Sequence, residues 1–293
     1  MAMIEKDFVA FILTHGRPDR VYTFKSLRKA GYTGRIVIVL DNEDNRRAEY
    51  EKEFAGTEIE VFDKKAISDT FDEGDNFQDR RAIIYARNAC FEIAKKLGVR
   101  YFVELDDDYG AFQYRFDASA NYRPKAIKTA DSVFDAMVRF LKASKCASVA
   151  MAQGGDFIGG QKSPNNGFVV KIKLHRKAMN TFVCDAQNPF QFFGRINEDV
   201  NLYTCGGRRG ILLFTVPNVS ITQKQTQSNA GGMSELYLSS GTYVKSFYSV
   251  MYAPSCVKIK DMGPVHRRLH HSVKWKNAVP CIVGEELRKR DVE

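Results

Sequence analysis

Apolar positions in the first hundred residues come in short runs that end in polar, glycine-containing turns. Phe8-Val-Ala-Phe-Ile-Leu13 is unbroken and apolar, and it runs out into Thr14-His15-Gly16-Arg17-Pro18-Asp19. A strand covered on both faces has no need to alternate, so this run predicts a buried parallel strand feeding a loop. A helix is expected over Val21 to Ala30, closed by Gly31. A second strand, Arg35 to Leu40, ends at Asp41-Asn42-Glu43-Asp44, and a weaker one covers Glu58 to Phe62. The polar stretch Asp69 to Asp79 reads as a loop. Ile83, Ala86, Cys90, Ala94 and Leu97 recur at steps of three and four, one apolar stripe of a helix that Gly98 stops. Arg100 to Leu105 is the next strand, and it leads straight into Asp106-Asp107-Asp108.

The second half is less regular. Thr129 to Lys142 predicts a helix with Val133, Phe134, Met137 and Leu141 on one side, and Ala147 to Ala152 a strand. Glycine turns follow at Gly154-Gly155 and Gly159-Gly160. Val170, Ile172 and Leu174 alternate with lysines, as in a half-exposed strand. Asn197 to Gly206 reads as a short helix, Ile211 to Val216 as a strand, and Gln223 to Gly232 as a loop. Strand, helix, strand, helix, strand predicts an α/β fold with a mainly parallel, Rossmann-like sheet flanked by helices. No linker demands a second domain. The expectation is one domain over 1–293, with a nucleotide-binding half at 1–110 and an acceptor half at 111–293.

Composition adds little to the fold but constrains the setting. Hydrophobic content of 44% with 27% charged residues suits a globular chain. No run approaches the roughly 18 apolar residues of a membrane span, and Phe8 to Leu13 is too short for a signal-peptide core. A cytoplasmic protein without a membrane partner is expected. The six cysteines are scattered with no C-x-x-C pair, against a zinc site and against a disulfide framework. A net charge of +9 favours a polyanionic partner such as nucleic acid, although it also serves solubility.

Ligands on such sheets bind beyond the C-terminal ends of the strands, where Thr14, Asp41 and Asp106 fall. Three adjacent carboxylates repel one another, and a hard divalent cation with oxygen ligands offsets that repulsion. In extended backbone Asp106 and Asp108 share a side and can address one ion, while Asp107 faces away. Asn197-Glu198-Asp199 reads locally as a helix start with acids in the first turn. The stretch Pro264 to Lys276 holds three of the five histidines, His266, His270 and His271. Its Arg267, Arg268, Lys274 and Lys276 around Trp275 form a candidate phosphate and base-stacking patch for DNA. A basic surface helix is the other reading of that stretch.

The order of Thr14 and Arg17 after the first strand, Asp41 after the second, Arg87 in the helix Tyr85 to Cys90 and then the D-x-D resembles GT-A glycosyltransferases. The resemblance implies that Thr14, Arg17 and Asp41 hold the nucleoside of a nucleotide-sugar and that Arg87 approaches the sugar or the D-x-D. It also implies that Asp106 contacts ribose or metal and Asp108 the metal. A carboxylate heading a late helix is the general base of inverting members, here Asp199 with Glu198 second. A late histidine, His266, His270 or His271, would complete the metal shell.

The run Gln223 to Gly232 continuing to Tyr237, then Ser240 to Lys245, His270-His271 and Trp275, looks like the TET-associated glycosyltransferases, largely phage and prophage proteins related to base J glucosyltransferases. That resemblance implies transfer of a hexose or pentose from a nucleotide-sugar, a UDP-sugar, to a hydroxymethylated pyrimidine in DNA such as 5-hydroxymethylcytosine. Mn²⁺ or Mg²⁺ is the implied cofactor. A base must leave the stack to present its hydroxyl, and the Gln-rich loop is a candidate wedge. The rival readings are a GT-A enzyme acting on a glycan or protein and a degenerate, non-catalytic DNA-binding homologue. A sugar nucleotidyltransferase would need a Gly-rich phosphate loop after the first strand, and Thr14 to Pro18 is not one.

Overall fold

The structure is a computed structural model that describes residues 7–74, 80–153, 177–223, 242–262, 268–279 and 285. Strands β1 (Phe8–Leu13), β2 (Arg35–Asp41), β3 (Glu58–Phe62) and β4 (Tyr101–Asp106) lie parallel in the order β3-β2-β1-β4. Helices α1 (Tyr22–Lys29), α2 (Arg47–Glu53), α3 (Lys64–Ser68) and α4 (Ile84–Lys96) belong to the crossovers between them. Gly31, at φ +84°, turns the chain after α1 against the Lys128 carbonyl, where a Cβ would collide.

The apolar runs do not alternate because both faces of the sheet are covered. Phe8, Ala10, Ile12, Ile36, Ile38, Val103 and Leu105 pack on one side with Leu27 of α1 and with Phe134 and Val138 of α5 (Ala130–Ser144). Val9, Phe11, Leu13, Val37, Val39 and Phe102 pack on the other with Ile84, Cys90, Phe91 and Ala94 of α4. The buried face of α4 is wider than the expected stripe and is centred differently. Ile83, Ala86 and Leu97 are only partly buried, whereas Tyr85, Arg87 and Asn88 are buried.

Beyond β4 the sheet continues through β8 (Phe182–Asp185), β7 (Ser148–Gln153), β9 (Leu213–Gln223), β5 (Tyr109–Phe116) and β6 (Tyr122–Ala126). β8 runs antiparallel to β4 and β7, β7 is parallel to β9, and β5 is antiparallel to β9 and β6. The result is an α/β layout, a Rossmann-like parallel half extended by a mixed half. β9 outlasts the expected strand by seven residues because its register slips around Pro217, which lacks an N–H for the ladder, and then resumes. Gln223 is therefore the end of a strand and not the start of a loop.

The remaining described elements are a 3-10 turn (Pro18–Arg20), α6 (Glu198–Asn201), a π-helical turn (Leu202–Gly206), α7 (Thr242–Tyr252), the antiparallel ribbon β10 (Val257–Met262) and β11 (Arg268–Val273), and α8 (Trp275–Ala278). His270 and His271 thus lie on a strand, and the alternative of a basic helix across that stretch is corrected. The glycine turns at Gly154 and Gly159, the strand at Val170 to Leu174 and the loop beyond Gln223 lie outside the described residues. No helix among the described residues is long and apolar enough to cross a membrane.

Candidate active site

β1, β2 and β4 stop at one edge of the sheet, where Leu13 pairs with Val39 and Asp106. The turn Asp106-Asp107-Asp108 that follows β4 is fastened by the start of α1. The Thr23 amide donates to the Asp107 carbonyl at 3.1 Å, its hydroxyl donates to the Asp106 carbonyl, and it accepts from the Tyr109 amide at 2.9 Å. Ser26 Oγ donates to the Tyr109 carbonyl at 2.8 Å. Thr23 is completely buried, so these bonds form out of competition with water.

Within this turn the three carboxylates part company. Asp107 turns inward, where its Oδ2 accepts from Thr14 Oγ1 at 2.6 Å and pairs with Arg17 Nε at 3.0 Å. Burial pushes its carboxyl up, against the opposing pull of Arg17. Thr14 and Arg17 are therefore bound to the turn itself, and the Arg17 amide and Thr14 hydroxyl both meet the Tyr50 hydroxyl. Asp106 Oδ1 accepts from Arg87 Nη2 at 2.9 Å. Asp108 Oδ2 accepts from Gln223 Nε2 at 3.1 Å, while its Oδ1 is buried without a partner. Burial, then the charge of Asp106, pushes the Asp108 carboxyl up to about 7.

Arg87 is buried at the centre of the site. Its guanidinium reaches Asp106, Glu198 Oε1 at 3.3 Å and Glu104 Oε2 at 3.4 Å, and it lies over the rings of Phe182 and Phe192. The helix basic residue is thus an internal hub between β4 and α6. Glu104, fully buried on β4, is raised to about 8 by burial against the opposing charge of Arg87, and its Oε1 has no partner. Glu198 is raised to about 7 by burial and by Asp199. Asp199 is raised by burial, with Lys245 opposing. Asn197 precedes them in the left-handed region at φ +56°. Its side chain does not cap α6 but donates to the Lys245 carbonyl and to Ser249 Oγ of α7.

Asp41, at the end of β2, accepts from His15 Nδ1 at 2.7 Å and pairs with the buried Lys64 at 3.3 Å. Burial opposes its ionisation, yet the His15 hydrogen bond and the Lys64 charge hold its carboxyl below the usual range. His15 is half exposed beside it. His15, Lys64, Glu104, Tyr50, Thr23 and Gln223 escaped the sequence reading. His15 alone carried a usable signal, as part of the polar loop after β1.

At the C-terminal end His271 is pushed down to about 3 by burial and then by His270, and its Nδ1 is buried without a partner. His270 Nδ1 lies 2.7 Å from the His271 carbonyl. Trp275 stacks on Tyr203 at 5.3 Å, and Lys274 and Lys276 are exposed. His266 and Arg267 lie outside the described residues. Among the described residues no three His, Cys, Asp or Glu side chains form a group that could hold a metal ion. The structure joins Arg87, Asp106 and Glu198 directly, and Thr14 with Arg17 through Asp107. It places neither His270 nor His271 in a ligand group with Asp106 and Asp108.

Chemically, an excess of buried carboxylates faces one guanidinium, with an orphaned oxygen on Asp108. Such an arrangement suits a cation whose remaining ligands come from an anionic substrate. Residues 8–232, most of the chain, match the family model for TET-associated glycosyltransferases. No curated protein matches the sequence. Among solved structures the chain is similar to a mycobacterial protein, at a TM-score of 0.44 and 9% identity over 91% of this chain and 83% of that one. It is also similar to glucosyl-3-phosphoglycerate synthase from Mycobacterium tuberculosis in complex with Mn²⁺, uridine diphosphate and phosphoglyceric acid. The TM-score there is 0.45, with 10% identity over 91% of this chain and 86% of that one.

Proposed function

The chain belongs to the TET-associated glycosyltransferase family, and from that premise we propose that it moves a sugar from a UDP-sugar to the hydroxymethyl group of 5-hydroxymethylcytosine in DNA, with Mn²⁺ or Mg²⁺ bound. The observation that carries the donor half is the Asp106–Asp108 turn, with its partnerless Asp108 oxygen at the strand-end edge. Family membership and the net charge of +9 support the DNA acceptor.

The residues fit a divalent ion of this kind. Asp106 and Asp108 would supply hard oxygen ligands and a diphosphate the others, with no late histidine joining them among the described residues. An ion held there by Asp106 and Asp108 would supply charge neutralisation for the departing diphosphate. Arg87 keeps Asp106 oriented and stops the neighbouring carboxylates from driving one another out of place. Asp41 with His15 forms the nucleoside end of the cleft, and Thr14 and Arg17 shape its floor through Asp107. Asp199, whose carboxylate is not claimed by Arg87, takes the proton from the acceptor hydroxyl, with Glu198 the second candidate. The acceptor base reaches this acid only outside the duplex stack.

The test incubates the protein with hydroxymethylcytosine DNA, Mn²⁺ and a panel of nucleotide-sugars, followed by nucleoside mass spectrometry. A hydroxymethylcytosine mass increased by one sugar is expected. Transfer to a saccharide or protein, with none to DNA under any donor, would overturn the acceptor assignment.

A further inference from the structure

Three large apolar side chains stand out as exposed among the described residues: Phe247 at 49%, Met251 at 57% and Leu269 at 46%. Phe247 and Met251 are four apart on α7 and so share one helical face. Leu269 lies on β11 beside that helix, where its carbonyl accepts from Ser246 Oγ. The ribbon β10–β11 packs against α7 and is strongly basic on its other side. Lys258 pairs with Ser272 and Lys260 with His270, which puts these four on one face, whereas Ile259, His271, Asp261 and Leu269 fall on the other. Lys258 and Lys260 are exposed and take part in no ion pair among the described residues, and the exposed Lys274 and Lys276 follow directly in sequence. Asp261, the one carboxylate of β10, falls on the face of Leu269.

This module is tied to the acceptor acids. Asn197, immediately before Glu198 and Asp199, donates to the Lys245 carbonyl and to Ser249 of α7. Through α7 the ribbon is therefore linked to the segment that carries Glu198 and Asp199. The lysine row on one face suits a phosphate backbone, and the exposed apolar side chains on the α7 side suit the face of an unstacked base, so a bound strand would pass round the edge of the ribbon from one to the other.

We propose that the β10–β11 ribbon is the DNA-docking element of this enzyme: Lys258, Lys260, Lys274 and Lys276 grip phosphates flanking the modified base, and Phe247, Met251 and Leu269 form the apolar ground for a base out of the stack. The inference rests on the DNA reading above and assigns it a surface.

The experiment measures anisotropy of labelled hydroxymethylcytosine duplex with the full chain across a salt series. It compares wild type with the Lys258→Ala/Lys260→Ala and Phe247→Ser/Met251→Ser variants, and Mn²⁺-dependent UDP binding serves as the control for folding and the donor site. Loss of two phosphate contacts lowers the log–log salt slope by about 1.8 and weakens binding roughly tenfold or more near 0.1 M salt. The apolar variant keeps the slope and loses at least about fivefold on single-stranded or mismatched sites. UDP binding is unchanged in both. If wild type glycosylates DNA while the lysine variant keeps its slope and affinity, the ribbon assignment alone is overturned. A wild type that neither binds nor glycosylates DNA overturns the acceptor reading together with it. Loss of binding to anionic vesicles with DNA binding intact would make the ribbon a membrane contact and overturn the proposal.

Discussion

Replacing Arg87 with methionine removes the cation that holds Glu104, Asp106 and Glu198 together. Breaking one buried ion pair by deleting a partner typically costs about 3–5 kcal/mol, because the surviving charge is left without compensation. Three carboxylates do not triple that figure here. Glu104, raised to about 8, holds its proton at neutral pH, Glu198 at about 7 is partly protonated, and Asp106 keeps some contact with water. The expected loss is therefore about 3–5 kcal/mol in total, a large share of the ~5–15 kcal/mol that stabilises a typical domain. Arg87→Lys keeps the charge but cannot reach three acceptors through Nε, Nη1 and Nη2, and about 2 kcal/mol should be lost. Adding Glu198→Gln to Arg87→Met should recover at least about 1 kcal/mol, since the two side chains are in contact and Glu198 keeps part of its charge. Urea denaturation followed by circular dichroism reads all four proteins. An Arg87→Met variant within about 1 kcal/mol of wild type would refute the hub as a source of stability.

The site's carboxylates also set an unusual pH dependence. Glu104, Asp108 and Glu198 bind protons more tightly folded than unfolded, so each loses stability as pH rises from its unfolded value toward about 8, 7 and 7. The neutral His271 acts oppositely, costing stability as pH falls from 6.5 toward about 3. The thermal midpoint of the ligand-free protein should therefore drop between pH 6.5 and 8.5 and recover with Mn²⁺ and UDP; a steady rise across that window would contradict the assignments. Thr23→Val removes the hydroxyl that fastens the aspartate turn and should cost about 1–3 kcal/mol and raise the donor KM, while leaving unchanged any apparent KM for DNA. Gln223→Ala frees Asp108 Oδ2 and should weaken Mn²⁺-dependent UDP binding less than tenfold, since the glutamine orients the ligand without being one.

The parallel half was legible because its signals are local. Apolar runs of five to seven residues with polar ends mark strands whatever surrounds them, and β1, β2, β3 and β4 fall within a residue or so of the expected bounds. β5, β6 and β8 were not, because they sit in the mixed half, where short strands alternate weakly and Pro217 interrupts β9. Strand alternation set Asp107 apart from Asp106 and Asp108, but β4 ends at Asp106, and it is the turn after it that carries Asp107 inward to Thr14 and Arg17. The role of Arg87 as a hub could not follow from α4, since its partners Glu104 and Glu198 lie 17 and 111 residues away. Asn197 shows the same limit: its local pattern predicted a helix cap, but a contact 52 residues away claimed the side chain. Lys64 reads as an ordinary charged residue in sequence and becomes a buried partner of Asp41 only when β2 and β3 pair.

The central claim is that Asp106 and Asp108 hold a divalent ion on the diphosphate while Asp107 only holds the turn. Calorimetry of UDP with and without Mn²⁺ tests it on wild type, Asp108→Asn and Asp107→Asn. Wild type and Asp107→Asn are expected to bind UDP far better with Mn²⁺, the latter with reduced stability, and Asp108→Asn to lose the Mn²⁺ effect while remaining folded. Full Mn²⁺-dependent UDP binding by Asp108→Asn would contradict it.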